Sequence, residues 1–112
     1  MARDEEIEQI KNRLRDLIDR DISSKGSQIL GKDNLIRIGK FVKTKRMANG
    51  WTVMRFQHIC WISHDIITKI ENGENVMMES LFRVLHNLGY TLFVKRSGTG
   101  YDVEIREWSY FG

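Results

Sequence analysis

His58, Cys60 and His64 lie close together in the chain. A tetrahedral metal site would require their donor atoms to converge on one face. In a helix over this stretch Cys60 falls on the apolar side with Phe56 and His58 on another, so we expect no metal here. The same stretch offers different chemistry. Ser63 can open a helix by accepting a hydrogen bond from an orphan backbone N–H. The residues after it, His64, Asp65, Ile66 and Thr68, would face outward from the first turns. His64 can donate to a guanine acceptor, Asp65 can accept from a cytosine amino group, and Ile66 can meet a thymine methyl. Lys40, Lys43, Arg55 and Lys69 suit phosphate oxygens. No Gly-rich phosphate loop, nucleophile elbow or paired-carboxylate signature occurs, so we expect neither an enzyme nor a cofactor.

The charge pattern points the same way. The chain has 112 residues and a net charge of +3. Residues 36–73 hold seven basic side chains (Arg37, Lys40, Lys43, Lys45, Arg46, Arg55, Lys69) and two acidic ones (Asp65, Glu71), a local +5. The segments on either side are each close to neutral. Concentrated positive charge favours a polyanion, because neutralising phosphates releases counterions. A solvated basic helix face is the other use of such a stretch. The lone cysteine, Cys60, permits no internal disulfide and fits a reducing compartment. No stretch is apolar enough to span a bilayer, and the first residues do not read as a signal peptide, so the expected location is cytoplasmic.

These side chains need elements to position them. Residues 1–22 read as an amphipathic helix, with Ile7, Ile10, Leu14, Leu17 and Ile18 on one side. It has two uses: packing on its own domain, or a two-heptad dimer seam. Residues 23–33 read as a linker by composition. Asn34 is placed to cap a helix over 35–48 with Leu35, Ile38, Val42 and Phe41 inward, ended by Asn49-Gly50. Thr52 caps a short helix that turns Phe56 and Cys60 inward. After a tight turn and Ile62, Ser63 caps the next helix, with Ile67 and Ile70 inward and a stop at Asn72-Gly73. A further helix over 78–88 buries Leu81, Val84, Leu85 and Leu88. The period then changes to two. Residues 91–96 and 101–107 alternate around Ser97-Gly98-Thr99-Gly100, which is a β-hairpin. A hairpin alone is marginal, so it must dock, either on its own helices or on a second copy.

Residues 51–73 thus have the layout of a helix-turn-helix. The segment resembles the Xre, or lambda-repressor-like, family of DNA-binding domains. Trp51-Thr52, Phe56, Ile62-Ser63, Ile67-Thr68 and Ile70-Glu71-Asn72-Gly73 fall in register with the family pattern without a gap. Gly39, Val42, Lys43 and Arg46 extend the match upstream, and Ser80-Leu81, Val84-Leu85 and Leu88-Gly89 extend it downstream. Leu92 and Val94 look like the extra strand of the subset that includes antitoxins of HipA-type kinase toxins. The resemblance covers 36–94. It implies that the positions of His64, Asp65 and Thr68 face bases or phosphates, and that Arg46 and Glu71 pair inside the domain. It also implies that the strand pairs with its copy in a homodimer. Three residues depart from the pattern. Val53 replaces a Gln that often touches DNA, Gln57 a small Ala between the helices, and Trp61 the turn Gly.

The reading is a mainly α protein. It has a five-helix lambda-repressor-like domain over 34–90, an added N-terminal helix and a C-terminal hairpin over 91–112. Its expected function is sequence-specific DNA binding as a homodimeric repressor, with the HipA-type resemblance implying an antitoxin that represses its own operon. Expected base contacts are His64, Asp65, Ile66 and Thr68. Expected backbone contacts are Lys40, Lys43, Arg55, Ser63 and Lys69. Leu92, Val94, Val103, Ile105 and Trp108 are expected at a dimer or partner interface. A different class stays open: a protein-binding adaptor or toxin inhibitor that keeps the scaffold without reading DNA. Val53, Gln57, Trp61 and an outward apolar group of Val53, Ile59 and Ile66 support it, and Trp108, Tyr110 and Phe111 offer aromatic anchors.

Overall fold

The computed structural model of the chain describes residues 26–108. The expected N-terminal helix over 1–22, and Tyr110 and Phe111, lie outside the described residues. Within them, a 3-10 turn (Gly26–Leu30) leads into α1 (Lys32–Ala48), α2 (Val53–Cys60), α3 (His64–Glu71) and α4 (Met78–Asn87). Two antiparallel strands follow, β1 (Tyr90–Ser97) and β2 (Gly100–Glu107). The protein is therefore mainly helical with a small C-terminal hairpin, with four α-helices among the described residues rather than five. None of these helices is long and apolar enough to cross a membrane.

The apolar positions explain the packing. Leu35, Ile38 and Val42 of α1, Phe56 and Cys60 of α2, and Ile67 and Ile70 of α3 are buried in one core with Leu81, Val84 and Leu85 of α4. Phe41 and Leu88, also expected inward, are half-buried against it. Gly39 lets α1 and α3 cross at contact distance, because a Cβ there would lie 2.4 Å from the Ile70 carbonyl oxygen. No larger residue fits that crossing without moving backbone.

Two sequence expectations change at the start of the fold. The stretch 26–33, read as linker, is folded: it forms the 3-10 turn and the opening of α1. Ser27 is fully buried and Leu30 joins the core. The turn is tied to the loop before α4. Ser27 N–H donates to the Val76 carbonyl at 2.6 Å, Val76 N–H donates to Ser27 Oγ at 2.9 Å, and Gln28 N–H donates to Asn75 Oδ1 at 2.8 Å. A polar composition suggested a linker, but these partners lie almost fifty positions away. Asn34 does not cap α1, which begins earlier, after Gly31. Its side-chain amide donates instead to the Leu30 carbonyl at 2.7 Å and to the Tyr101 carbonyl of β2 at 2.9 Å.

The hairpin pairs Ser97 with Gly100 around Gly98-Thr99, and Leu92 with Ile105, and Val94 with Val103. Opposed residues share a face. One face carries Tyr90, Leu92, Val94, Tyr101, Val103 and Ile105; the other carries Phe93, Lys95, Asp102, Glu104 and Arg106. The apolar face is turned onto the protein's own helices, and Leu92 and Val103 are buried there. These two residues, expected at a dimer or partner interface, are core residues of the single chain. Two strands cannot hold a hairpin in water alone, and α4 and the 3-10 turn supply the cover. Ile105 is half-buried against the core, and Val94 and Trp108 stay partly exposed. Trp108 N–H donates to the Gly89 carbonyl at 2.7 Å, and its ring meets His86 edge-on at 5.4 Å.

Candidate nucleic-acid interface

The pair α2 and α3, with the turn between them, carries the candidate site. Both helix starts follow from the sequence. Thr52 Oγ1 accepts from Arg55 N–H at 3.1 Å, and Ser63 Oγ accepts from Ile66 N–H at 3.3 Å. Each satisfies a donor that the first helical turn leaves free, and each cap is worth about 1 kcal/mol. Ile67 and Ile70 then fix the rotation of α3 by burial. The other side presents His64 and Asp65, which are exposed, and Thr68 and Lys69, which are half-buried.

The end of α3 is locked by an ion pair. Arg46 Nε and Nη2 donate to the two carboxylate oxygens of Glu71, at 2.8 and 3.0 Å. Arg46 Nη1 donates to the Trp51 carbonyl at 2.7 Å. One guanidinium thus joins the ends of α1 and α3 and the residue just before the α2 cap. Both side chains are nine-tenths buried or more. The two residues have a structural role, and Glu71 is not free to meet a ligand.

The surface of α3 is more self-engaged than its sequence implies. Lys69 Nζ lies 3.3 Å from Asp65 Oδ2. Thr68 Oγ1 donates to the His64 carbonyl at 3.0 Å. Ile66, expected to face outward, is half-buried and packs on the core with Val53 and Ile59. It lies one step round the helix from fully buried Ile67, at the edge of the apolar stripe. These three residues therefore do not form the exposed apolar group expected of them. His64 and Ser63 are exposed.

Of the basic residues, Arg37 is committed to the hairpin, where Nη2 donates to the Val103 carbonyl. Lys45 lies over the rings of Phe41 and Tyr90, and Arg46 is buried. Lys40, Lys43 and Arg55 are exposed and have no ion-pair partner among the described residues. Cys60 is buried beneath α2 while His58 is exposed on its surface, so the two do not share a face. Burial pushes the Cys60 thiol up to about 12, against a smaller downward pull from the Arg83 charge.

The turn holds the residue whose importance the sequence understated. Trp61 has φ 57 and ψ 43, in the left-handed region, and is the one non-Gly residue with positive φ among the described residues. Its N–H and that of Ile62 both reach the Gln57 carbonyl. The chain must reverse between Cys60 and Ser63 while burying Ile62, and a left-handed residue accomplishes this. A side chain there is strained by about 1–2 kcal/mol. Trp61 is also 87% exposed. Its ring stands beside an open depression lined by Gln57, His58, Ile62 and Ser63. Gln57, the second departure, is half-buried at this rim. In the sequence, the missing turn glycine was the only signal for this feature.

No protein-family model matches the chain, and no curated protein matches it.

Proposed function

We propose that the protein is a sequence-specific DNA-binding regulator of the lambda-repressor-like helix-turn-helix type, acting as a homodimeric repressor. The observation that carries the reading is the capped α2–turn–α3 pair. Its α3 shows a polar stripe of His64, Asp65, Thr68 and Lys69, and Lys40, Lys43 and Arg55 are exposed on α1 and α2 with no ion-pair partner among the described residues. In this reading α3 lies in the major groove with its N-terminal residues at the base edges, and these cations hold phosphates. His64 is the main base reader. Asp65 and Thr68 exchange their present partners for base edges on binding.

A dimer through β1 belongs to the same proposal. The closing pair Ser97–Gly100 makes the odd-numbered residues of β1 the ones bonded to β2. The backbone groups of Leu92 and Val94 therefore point outward, and no hydrogen bond meets them among the described residues. The outward carbonyls of Tyr101 and Val103 on β2 are already taken by Asn34 and Arg37. The open edge is β1, and pairing it with its copy is the symmetric way to close it. Two α3 helices would then read half-sites about 34–36 Å apart. The resemblance to antitoxins of HipA-type kinases extends the proposal to a regulator of its own operon, in the cytoplasm.

The competing reading is a protein-binding adaptor or toxin inhibitor. The bonds that Asp65 and Thr68 make within α3 favour it, since they leave fewer groups free for bases. The test is binding to a labelled duplex from the protein's own upstream region, against scrambled DNA, at two salt concentrations. A specific complex that weakens steeply with salt is expected. Absence of binding at low salt would overturn the proposal.

A further inference from the structure

We infer that Trp61 is a DNA-contacting residue. Its indole packs on a deoxyribose of the strand flanking the groove, and its Nε1–H donates to a phosphate oxygen there. This rests on the DNA-binding reading above and adds one interaction to it.

At 87% exposure the ring of Trp61 buries little against the protein, and its backbone sits where glycine fits without strain. Folding would favour glycine at this position. Strain that folding does not need is found where a ligand uses the side chain.

The surroundings select the ligand. Indole offers a flat apolar face and a single donor with no acceptor. The depression beside it adds the Gln57 amide, the His58 imidazole and the Ser63 hydroxyl. Ser63 Oγ already accepts from Ile66 N–H as a cap, so its own hydrogen is available to donate. Among the described residues no carboxylate lines the depression, and the nearest in sequence, Asp65, is held by Lys69. Groups able to donate around an apolar plane, with no acidic side chain among the described lining residues, complement an anionic strand of sugar and phosphate. The placement fits as well. Trp61 stands two residues before the cap of α3.

The experiment uses the full chain and the duplex from its own upstream region, with Trp61→Gly and Trp61→Phe. Trp61→Gly should melt higher than the parent yet bind the duplex about tenfold more weakly, the loss expected for one hydrogen bond to a charged group. The salt dependence of binding should keep its slope, because no cation is removed. Trp61→Phe should fall between, keeping a plane and losing the donor. The emission difference between parent and Trp61→Phe should be quenched by DNA. If the parent binds specifically but Trp61→Gly binds within twofold of it, or if that emission is unmoved, the inference is overturned and the DNA-binding reading stands. If the parent binds its duplex no better than scrambled DNA, the reading fails and takes the inference with it.

Discussion

Replacing Arg46 with Met tests whether one buried ion pair holds α3 in place. Exposed pairs contribute between nothing and about 1 kcal/mol, so burial decides the magnitude. Here the Arg46 side chain is 10% exposed and that of Glu71 7%. Three hydrogen bonds disappear together, two to Glu71 and one to the Trp51 carbonyl. Met fills most of the aliphatic stem, so the loss is largely the orphaned carboxylate. Breaking a buried pair from one side costs about 3–5 kcal/mol. For a domain of this size that lowers the melting temperature by about 12 °C or more. Urea denaturation followed by tryptophan emission measures it. The double variant Arg46→Met with Glu71→Leu removes the stranded charge as well and should be more stable than Arg46→Met alone. A loss below about 1 kcal/mol in the single variant, or a double variant no more stable than Arg46→Met, would refute the claim that the pair is buried and coupled.

Gly39→Ala should destabilise the fold by about 2 kcal/mol. The added Cβ meets the backbone oxygens of Ile70 and Glu71, and that overpacking exceeds the roughly 1 kcal/mol gained in helix propensity; an unchanged urea midpoint would contradict the crossing described. The Cys60 thiol, raised to about 12 by burial, should resist a thiol reagent at pH 8 until the protein opens. Because its folded value lies above the unfolded one, stability is full below about pH 8.5 and should fall as pH rises toward 12; chemical denaturation across that range checks the sign. Arg55→Ala combined with Lys69→Ala should weaken DNA binding and flatten its dependence on the logarithm of salt concentration by about two units, near 0.9 for each phosphate no longer neutralised; survival of the original slope would contradict the phosphate assignment. Val94→Pro removes an outward N–H of β1 and alters one partly exposed side chain of the apolar face, while the β1–β2 ladder bonds are kept. It should convert a dimer to a monomer in sedimentation, and a dimer that persists would exclude pairing through that edge.

The two short helices, their caps and their inward faces were legible in the sequence because they depend on neighbours. A hydroxyl at Thr52 or Ser63 reaches an N–H three residues on. Phe56 and Cys60, or Ile67 and Ile70, share a face through helical period alone. The hairpin was legible for the same reason, from alternation around Gly98-Thr99. The Arg46–Glu71 pair came from the family resemblance, not from any local signal. Other features depended on partners far along the chain, which no local pattern encodes. Ser27 became core because it meets the loop at Val76, and Asn34 became a clamp on β2 instead of a cap. Leu92 and Val103 look like interface residues in a bare hairpin, but they are spent on the protein's own helices once α4 and the 3-10 turn cover them. The candidate site divides along the same line. Sequence set which side chains α3 would show, since burial of Ile67 and Ile70 fixes its rotation. Only the tertiary structure decided that Asp65 and Thr68 are bonded within α3 and that Ile66 leans inward. It also decided that Trp61 stands exposed in a left-handed turn, because a chain reversal that buries Ile62 on one side turns the residue before it to solvent.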